Sequence, residues 1–524
     1  MLWVDTAVTD IKTAFVDKIA TGEALIVRDE KTLSGRPHIG SIRSASMHAF
    51  LTDALVQEEI VVKYLYEIND TDALDTVPAY VPADFEKYIG FRLKDIPSPS
   101  GTHENFAEEM AEDYCKTMLD AGFPVEFYRQ SANYEAGKYD EWIRIALEKK
   151  DVIRKIYKDI SGSDKPESWH PVQVICEGCG KIATTNVTAF DGEEVTYECI
   201  SRNEFTGCGH SGQMSPFGGK GTLPWKVEWA AKWAVTGTDI EGAGKDHYTA
   251  GGSRQVANAI SEQVFDRAHP FDMRHEFILI GGAKMSSSKG VGATAGEVAG
   301  MLPKHVFRFM LVIKDIMKTI DFSPDGDTIP LLFDAYDAAA RAFSDPEKAK
   351  LQPNESRAYE IVHAGTTPPP AFQLPKFSQI VFLCQMPHLD LEKSVAEMKG
   401  DELTAAEKAE LKVRIEYAKK WLAELAPERY RFHLGDYSAG LEISEKPKQA
   451  MQKVVEFLEA NPAATGHDIH TRLHELKGEL DLQPKELFQP FYQLLLDRES
   501  GPQLGFMLAS LPRDEALAIL KKVL

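Results

Sequence analysis

Lys284-Met285-Ser286-Ser287-Ser288-Lys289-Gly290 is a loop equipped for anions. Two lysines supply mobile charges, three hydroxyls donate hydrogen bonds, and the glycine lets backbone come close. Such a loop suits a polyphosphate. The apolar run before it, Glu276-Phe277-Ile278-Leu279-Ile280-Gly281-Gly282, reads as a short buried strand ending in a glycine pair. A second stretch far upstream gives the loop its context. Leu25 to Arg28 reads as a first strand, followed by Ser34-Gly35-Arg36-Pro37-His38-Ile39-Gly40-Ser41 and a helical pattern from Ile42 to Val56. The helix therefore starts near Gly40 and Ser41, with free N–H groups and its positive end facing the loop. Gly35 and Gly40 admit close backbone approach, and His38 can donate to a phosphate oxygen. Their place between strand and helix is where open α/β sheets bind nucleotides.

The remaining chain supplies further anchors. Ile60 to Ile68 reads as a second strand, and Asn69, Asp70 and Asp72 just beyond it read as a turn or cap, with ribose or magnesium contact as the alternative. Pro124 to Tyr128 reads as another strand, and Tyr139 to Tyr157 carries one long helical period. Cys176-Glu177-Gly178-Cys179 is a thiolate knuckle, and Cys199 and Cys208 follow after a predicted hairpin around Asp191-Gly192. Four thiolates at this spacing fit tetrahedral, structural zinc, with His210 the alternative to Cys208. Leu223-Pro224-Trp225-Lys226-Val227-Glu228-Trp229 opens a helix with an aromatic face. Asp239 to His247 reads as a loop after a strand, and Gly251-Gly252-Ser253 opens the next helix. The cluster Gly244-Lys245-Asp246-His247 is a candidate for ribose and ammonium groups.

These motifs together resemble the class I lysyl-tRNA synthetases, the archaeal-type family. That family carries a His-Ile-Gly-His motif, a cysteine-knuckle insert and a Lys-Met-Ser-Lys-Ser loop. Two positions depart from its pattern: Ser41 stands for the second histidine and Ser287 for the inner lysine, with Lys289 two residues on. The likeness covers most of residues 20–325, and Gly501-Pro502-Gln503-Leu504-Gly505 shares it. The resemblance implies activation of L-lysine with ATP and Mg²⁺, then transfer to tRNA(Lys). It implies catalytic roles for His38, Lys284 and Lys289. It assigns ATP contacts to Gly35, Pro37, His38, Gly40, Ser41, Gly251, Gly252, Lys284, Met285, Ser286, Ser287 and Ser288. A pocket for the lysine side chain needs an acceptor and an aromatic wall, and Asp29, Trp225, Glu228, Asp246 and His247 are its candidates. An arginine or glutamate enzyme of the same class and a non-catalytic tRNA-binding paralogue are the competing readings; Ser41 and Ser287 keep the latter open.

The expected fold is α/β: a Rossmann-like doubly wound catalytic domain with a zinc-knuckle insert, then an all-α anticodon-binding region. The expected divisions are 1–165 and 221–300 for the two catalytic halves, 166–220 for the insert, 301–365 for a helical connection and 366–524 for the C-terminal region. Past Pro303 the chain reads as helical from Val306 to Met317. Thr366-Thr367-Pro368-Pro369-Pro370 is a candidate linker. Leu411, Ile415, Ala418, Leu422 and Leu425 recur at helical spacing beside a lysine face of Lys408, Lys412 and Lys419.

The 524 residues suffice for two to four domains, and 43% hydrophobic content allows sizeable cores. No run is long enough to cross a membrane, and the N-terminus lacks a basic region followed by an apolar one. Six cysteines, four of them clustered, favour a metal site in a reducing compartment over a disulfide framework. A cytoplasmic monomer is expected. The formal charge of -21 governs solubility and steering; an RNA partner then requires a local basic face.

Overall fold

Strand β1 (Leu25–Thr32) carries four consecutive charged residues, Arg28 to Lys31, and is nonetheless buried at Leu25 and from Val27 to Asp29 and half-buried elsewhere. It sits in a computed structural model that describes residues 1–202, 205–282, 293–386, 389–433 and 435–524. The charges are tolerated because each face of the strand offers partners. Alternation puts Arg28 and Glu30 on one face and Asp29 and Lys31 on the other. The expected end of this strand at Arg28 is therefore corrected to Thr32.

The chain begins with helix α1 (Trp3–Ala14). After β1 come α2 (Ile42–Gln57) and β2 (Val62–Asn69), then α3 (Phe106–Asp120) and β3 (Val125–Arg129). Later α4 (Trp225–Thr236), β4 (Ile240–Gly244), α5 (Ser253–Gln263) and β5 (Phe271–His275) complete the layer. The five strands are parallel, in the order β5-β4-β1-β2-β3. This is a doubly wound sheet whose order reverses between β1 and β4. Those two strands share one register pair, Val27 with Ile240, so the crevice at the reversal opens towards their carboxyl ends.

Other expectations need correction. The stretch Asp239 to His247 is largely β4 itself, followed by a 3-10 turn at Lys245–Tyr248. Its two glycines make it look like a loop, but Gly242 is required for packing: a Cβ there would lie 2.3 Å from the Met273 carbonyl and 2.5 Å from Met47. The single helix expected from Tyr139 to Tyr157 is two helices, Asp140–Glu148 and Lys150–Ser161, interrupted at Lys149. The helix after Pro303 is Lys304–Val312, and Ile320–Phe322 is a strand pairing with Ile278–Ile280. Asn69 forms the expected turn, its Oδ1 accepting from the amides of Thr71 and Asp72.

The chain divides into two compact units. One holds Met1–Phe322 with Ala339–Pro369; the other holds Ser323–Ala338 with Pro370–Leu524. The second unit is helical beyond Phe377. Its helix Ala405–Glu424 starts on a Thr404–Glu407 capping box and buries Leu411, Arg414, Ala418 and Trp421. Arg414 is fully buried because Asp337 and Glu410 both receive its guanidinium. Of the lysine face, Lys408 pairs with Glu392 at 2.5 Å. Gly505 brings the helix Leu504–Ser510 against Gly466–Glu479, where a Cβ would lie 2.6 Å from the His470 nitrogen. Among the described residues no helix is long and apolar enough to cross a membrane.

Candidate active site

The crevice between β1 and β4 holds a cavity of about 340 Å³. Its floor is Asp29–Thr32 from β1 and Glu241–Gly244 from β4. His38, Gly40, Ser41 and Ser44 form one wall, and Trp225, Trp229, Asp246 and His247 another; His275, Phe277 and Ile278 close it. A 3-10 turn, Ile39–Ser41, runs into α2, so the first amides are already used: Ser41 N–H donates to the His38 carbonyl at 2.9 Å and Ile42 N–H to that of Ile39, and the loop presents the His38 side chain and the positive end of the helix to the cavity. Gly40 fits because the His38 ring occupies the space a side chain would need: a Cβ there would lie 2.6 Å from the imidazole.

Two distant stretches meet at His38. The Ile39 amide donates to the Ala293 carbonyl at 3.2 Å, the Ala295 amide donates to the Pro37 carbonyl at 3.1 Å, and His38 bridges Thr294. Ile278 lines the same cavity. The chain therefore leaves Gly282 and returns at Ala293 beside the His38 loop. Lys284, Met285, Ser286, Ser287, Ser288 and Lys289 lie outside the described residues.

Beneath the cavity lies a buried network of charge. The Arg28 guanidinium, 0% exposed, binds Glu30, Glu67 and Glu241. Lys232 from α4 reaches Glu30 at 2.8 Å, Glu67 at 2.7 Å and Glu228 at 3.1 Å. Four carboxylates thus share two cations. Burial alone would raise the Glu30 pKa, but Lys232 and Arg28 outweigh it and hold it well below the usual carboxylate range. Both cations bond its Oε2, leaving Oε1 for the cavity. Glu241 is saturated, taking the Trp229 and Trp233 indole N–H groups at 2.7 and 2.5 Å as well as Arg28. Glu228 accepts from Tyr134 at 2.5 Å, and burial raises its pKa to about 7 against the pull of Lys232.

On the other face of β1, Asp29 Oδ1 accepts the Glu30 amide while buried Oδ2 receives no hydrogen bond, although His48 Nδ1 is 3.3 Å away. His48 Nε2 accepts the Gly242 amide at 2.8 Å, which fixes the ring proton on Nδ1. Lys31 lines the cavity too; burial lowers its pKa against the opposing charge of Asp29. His247 stands edge-on to Trp229 at 5.4 Å and to Trp225 at 6.0 Å, its Nδ1 held by the Ser253 hydroxyl at 2.9 Å.

The cavity gathers Asp29, His38, Gly40, Ser41, Trp225, Asp246 and His247 from the residues singled out in the sequence. Glu228, Gly35, Pro37, Gly251 and Gly252 do not line it. Glu228 lies in the network below, and Gly251 turns tightly against the Ile160 carbonyl, 2.8 Å from where a Cβ would be. Glu30, Lys31, Trp229 and Glu241 went unnoticed. For Glu30 and Lys31 the signal is the charged run of β1, which resembles surface unless the network is known; Glu241 is the lone charge of a glycine-rich strand, and Trp229 lies on an aromatic helix face.

The four cysteines converge in the excursion after Lys150–Ser161. Their sulfurs all lie within 4.8 Å of one another, with Cys176–Cys208 and Cys179–Cys199 both at 3.7 Å. A tetrahedral zinc with sulfur at 2.3 Å sets sulfur–sulfur edges of about 3.8 Å, so the donor set fits that ion. The Cys208 amide donates to Cys199 Sγ at 3.3 Å. His210 packs against Tyr197 at 6.0 Å, outside the cysteine cluster. Gln173–Val174 pairs with Gly221–Thr222, so the excursion leaves and rejoins at one place.

A doubly wound parallel sheet with a cavity at its strand-order reversal, beside the His38 loop and the start of α2, defines a nucleotide-using enzyme domain. The chain belongs to the family described as tRNA synthetases class I (K), whose model matches residues 1–365. The protein named Lysine--tRNA ligase of Archaeoglobus fulgidus is 29% identical, over 98% of this chain and 97% of its own length. The one of Thermoplasma acidophilum, with the same name, is 27% identical over 98% and 97%. A crystal structure of a glutamate tRNA ligase from Elizabethkingia meningosepticum in complex with its amino acid aligns over 96% of this chain and 99% of its own, at 14% identity and a TM-score of 0.44.

Proposed function

We infer that this chain is a lysine--tRNA ligase: it activates L-lysine with ATP to lysyl-adenylate and transfers the lysyl group to tRNA(Lys). The observation that carries this reading is the family membership together with an acidic, aromatic cavity at the sheet reversal, beside the start of α2. In the first step the lysine carboxylate attacks the α-phosphate and pyrophosphate leaves. Negative charge builds on phosphate oxygens, so the chain's task is positioning and charge stabilisation. His38, Lys31 and the positive end of α2 serve the phosphates, joined by Lys284 and Lys289 from the signature loop; Lys289 takes the part of the lysine absent at Ser287. Gly40 lets the phosphates approach and Mg²⁺ accompanies them. In the second step the terminal ribose hydroxyl of tRNA takes the lysyl group.

The ε-ammonium of lysine goes to Glu30 Oε1, with Trp225, Trp229 and His247 packing on the aliphatic stem. Asp29 Oδ2 and Asp246 serve the α-ammonium or ribose. Uncharged analogues are rejected because they leave Glu30 Oε1 without a cationic donor. Glu228 orients Lys232 from below. The cysteines Cys176, Cys179, Cys199 and Cys208 hold a zinc ion that cross-links the excursion and leaves no ligand position for chemistry. Residues 366–524 bind the anticodon arm. The chain acts as a monomer, and a cysteine set used for metal instead of disulfides supports a cytoplasmic location.

The test is ATP–pyrophosphate exchange by wild type and Glu30→Gln, with tRNA present. Wild type should depend on lysine, and the variant should need roughly 30-fold more lysine or beyond, with its KM for ATP unchanged. An unchanged lysine requirement would remove Glu30 from the pocket; lysine-independent behaviour of wild type would end the ligase reading.

A further inference from the structure

Trp225 belongs to two concavities. It lines the substrate cavity and also a separate cleft of about 320 Å³. The walls of that cleft come from three places: the helix Lys150–Ser161 and the segment after it, the strands of the cysteine excursion, and the first turn of α4. Tyr157, Lys165, Trp169, Arg202 and Lys226 join Trp225 there, and among the described residues no carboxylate lines it. In a chain with a formal charge of -21, that is a local basic face. The cations are arrayed over rings. Lys165 Nζ sits 5.5 Å from the Tyr157 centroid and 5.8 Å from that of Trp169; Lys226 Nζ sits 5.8 Å from Tyr157 and 5.9 Å from Trp225. Arg202 donates to the neutral Asn186 amide oxygen and keeps its charge uncompensated by that partner. Trp225 itself is 48% exposed.

Flat rings alternating with cations fit a single polynucleotide strand, whose bases stack while its phosphates meet lysine and arginine. An acidic peptide offers the charge but not the flat faces. We propose that this cleft receives the unpaired 3′-terminal nucleotides of the tRNA and leads the terminal ribose past Trp225 into the substrate cavity. The phosphates meet Lys165, Lys226 and Arg202, and the bases stack on Trp225 and Trp169. This rests on the ligase reading, which supplies a strand that must reach the cavity, and adds the route and its residues.

The experiment uses two RNAs, a full-length tRNA(Lys) transcript and one lacking its last four nucleotides. The affinity of the whole protein for each is measured at one salt concentration, for wild type and for the double variant Lys165→Glu with Lys226→Glu. Wild type should bind the trimmed RNA about tenfold more weakly. The double variant should bind both alike, and Arg202→Glu, on a different element, should reduce the preference in the same direction. In lysine charging, the double variant should show a raised KM for full-length tRNA and an unchanged KM for lysine. A double variant that keeps the wild-type preference overturns the proposal. So does an equal loss of affinity for both RNAs, which would move the lysines onto the double-helical arm. Wild-type charging is read in the same series: if wild type prefers the full-length RNA but charges no lysine, the ligase reading fails while the cleft assignment stands.

Discussion

Glu228 is the residue whose protonation sets how well the buried network is balanced. It is 2% exposed, receives the Tyr134 hydroxyl, and shares Lys232 with Glu30 and Glu67. Burial raises its pKa from 4.5 to about 7. A carboxyl whose pKa is raised by folding binds its proton more tightly in the folded chain. Its contribution is therefore fully present below about 4.5 and is lost as pH rises towards about 7. Glutamine at this position stays neutral and keeps an acceptor for Tyr134. The stability difference between wild type and Glu228→Gln, followed by urea unfolding, should accordingly move by roughly 3 kcal/mol against wild type between those pH values. A difference that stays flat with pH would mean that Glu228 ionises freely at the bottom of the site.

At the scale of elements, β1 shows what a sequence conceals. Its apolar start, Leu25 to Val27, reads plainly as a strand, and the Gly-Arg-Pro-His-Ile-Gly-Ser loop and the start of α2 read as plainly from Gly35, His38 and Gly40. Arg28 to Lys31 do not, because charge in a strand interior looks like surface until Arg28 and Lys232 are seen to neutralise it. Glu30 was missed for that reason, and β4 because Gly242 and Gly244 mimic a turn. The signal for Trp229 was present, but an aromatic helix face reads first as core; only the edge-on contact with His247 separates the two uses. The cysteine excursion is the converse case, since Cys-x-x-Cys spacing foretells the convergence of the four sulfurs. Its sheet Thr185–Phe190, Val195–Cys199 and Ser211–Met214 is small, and the proposed zinc would cross-link it. Purified protein should hold one equivalent of zinc by elemental analysis. Cys179→Ser should lose it and lower Tm by roughly 5–10 °C. Full zinc content in that variant would contradict the four-cysteine site.

The whole molecule combines a strongly acidic chain with a nucleic-acid substrate, and the two are compatible because the charge is unevenly spent. Carboxylates concentrate under the cavity proposed to read a cationic amino acid, and Lys165, Lys226 and Arg202 line the cleft beyond Trp225, where among the described residues no carboxylate lines the wall. The proposed lysine pocket and the proposed strand cleft thus carry opposite local charges, a single tryptophan apart. The measurement that tests this most directly is a charging screen. The protein is incubated with ATP, Mg²⁺ and unfractionated tRNA, and with each of the twenty amino acids in turn, and acid-stable attachment to RNA is counted. Lysine alone should become attached. Attachment of a different amino acid, or of none, would contradict the account.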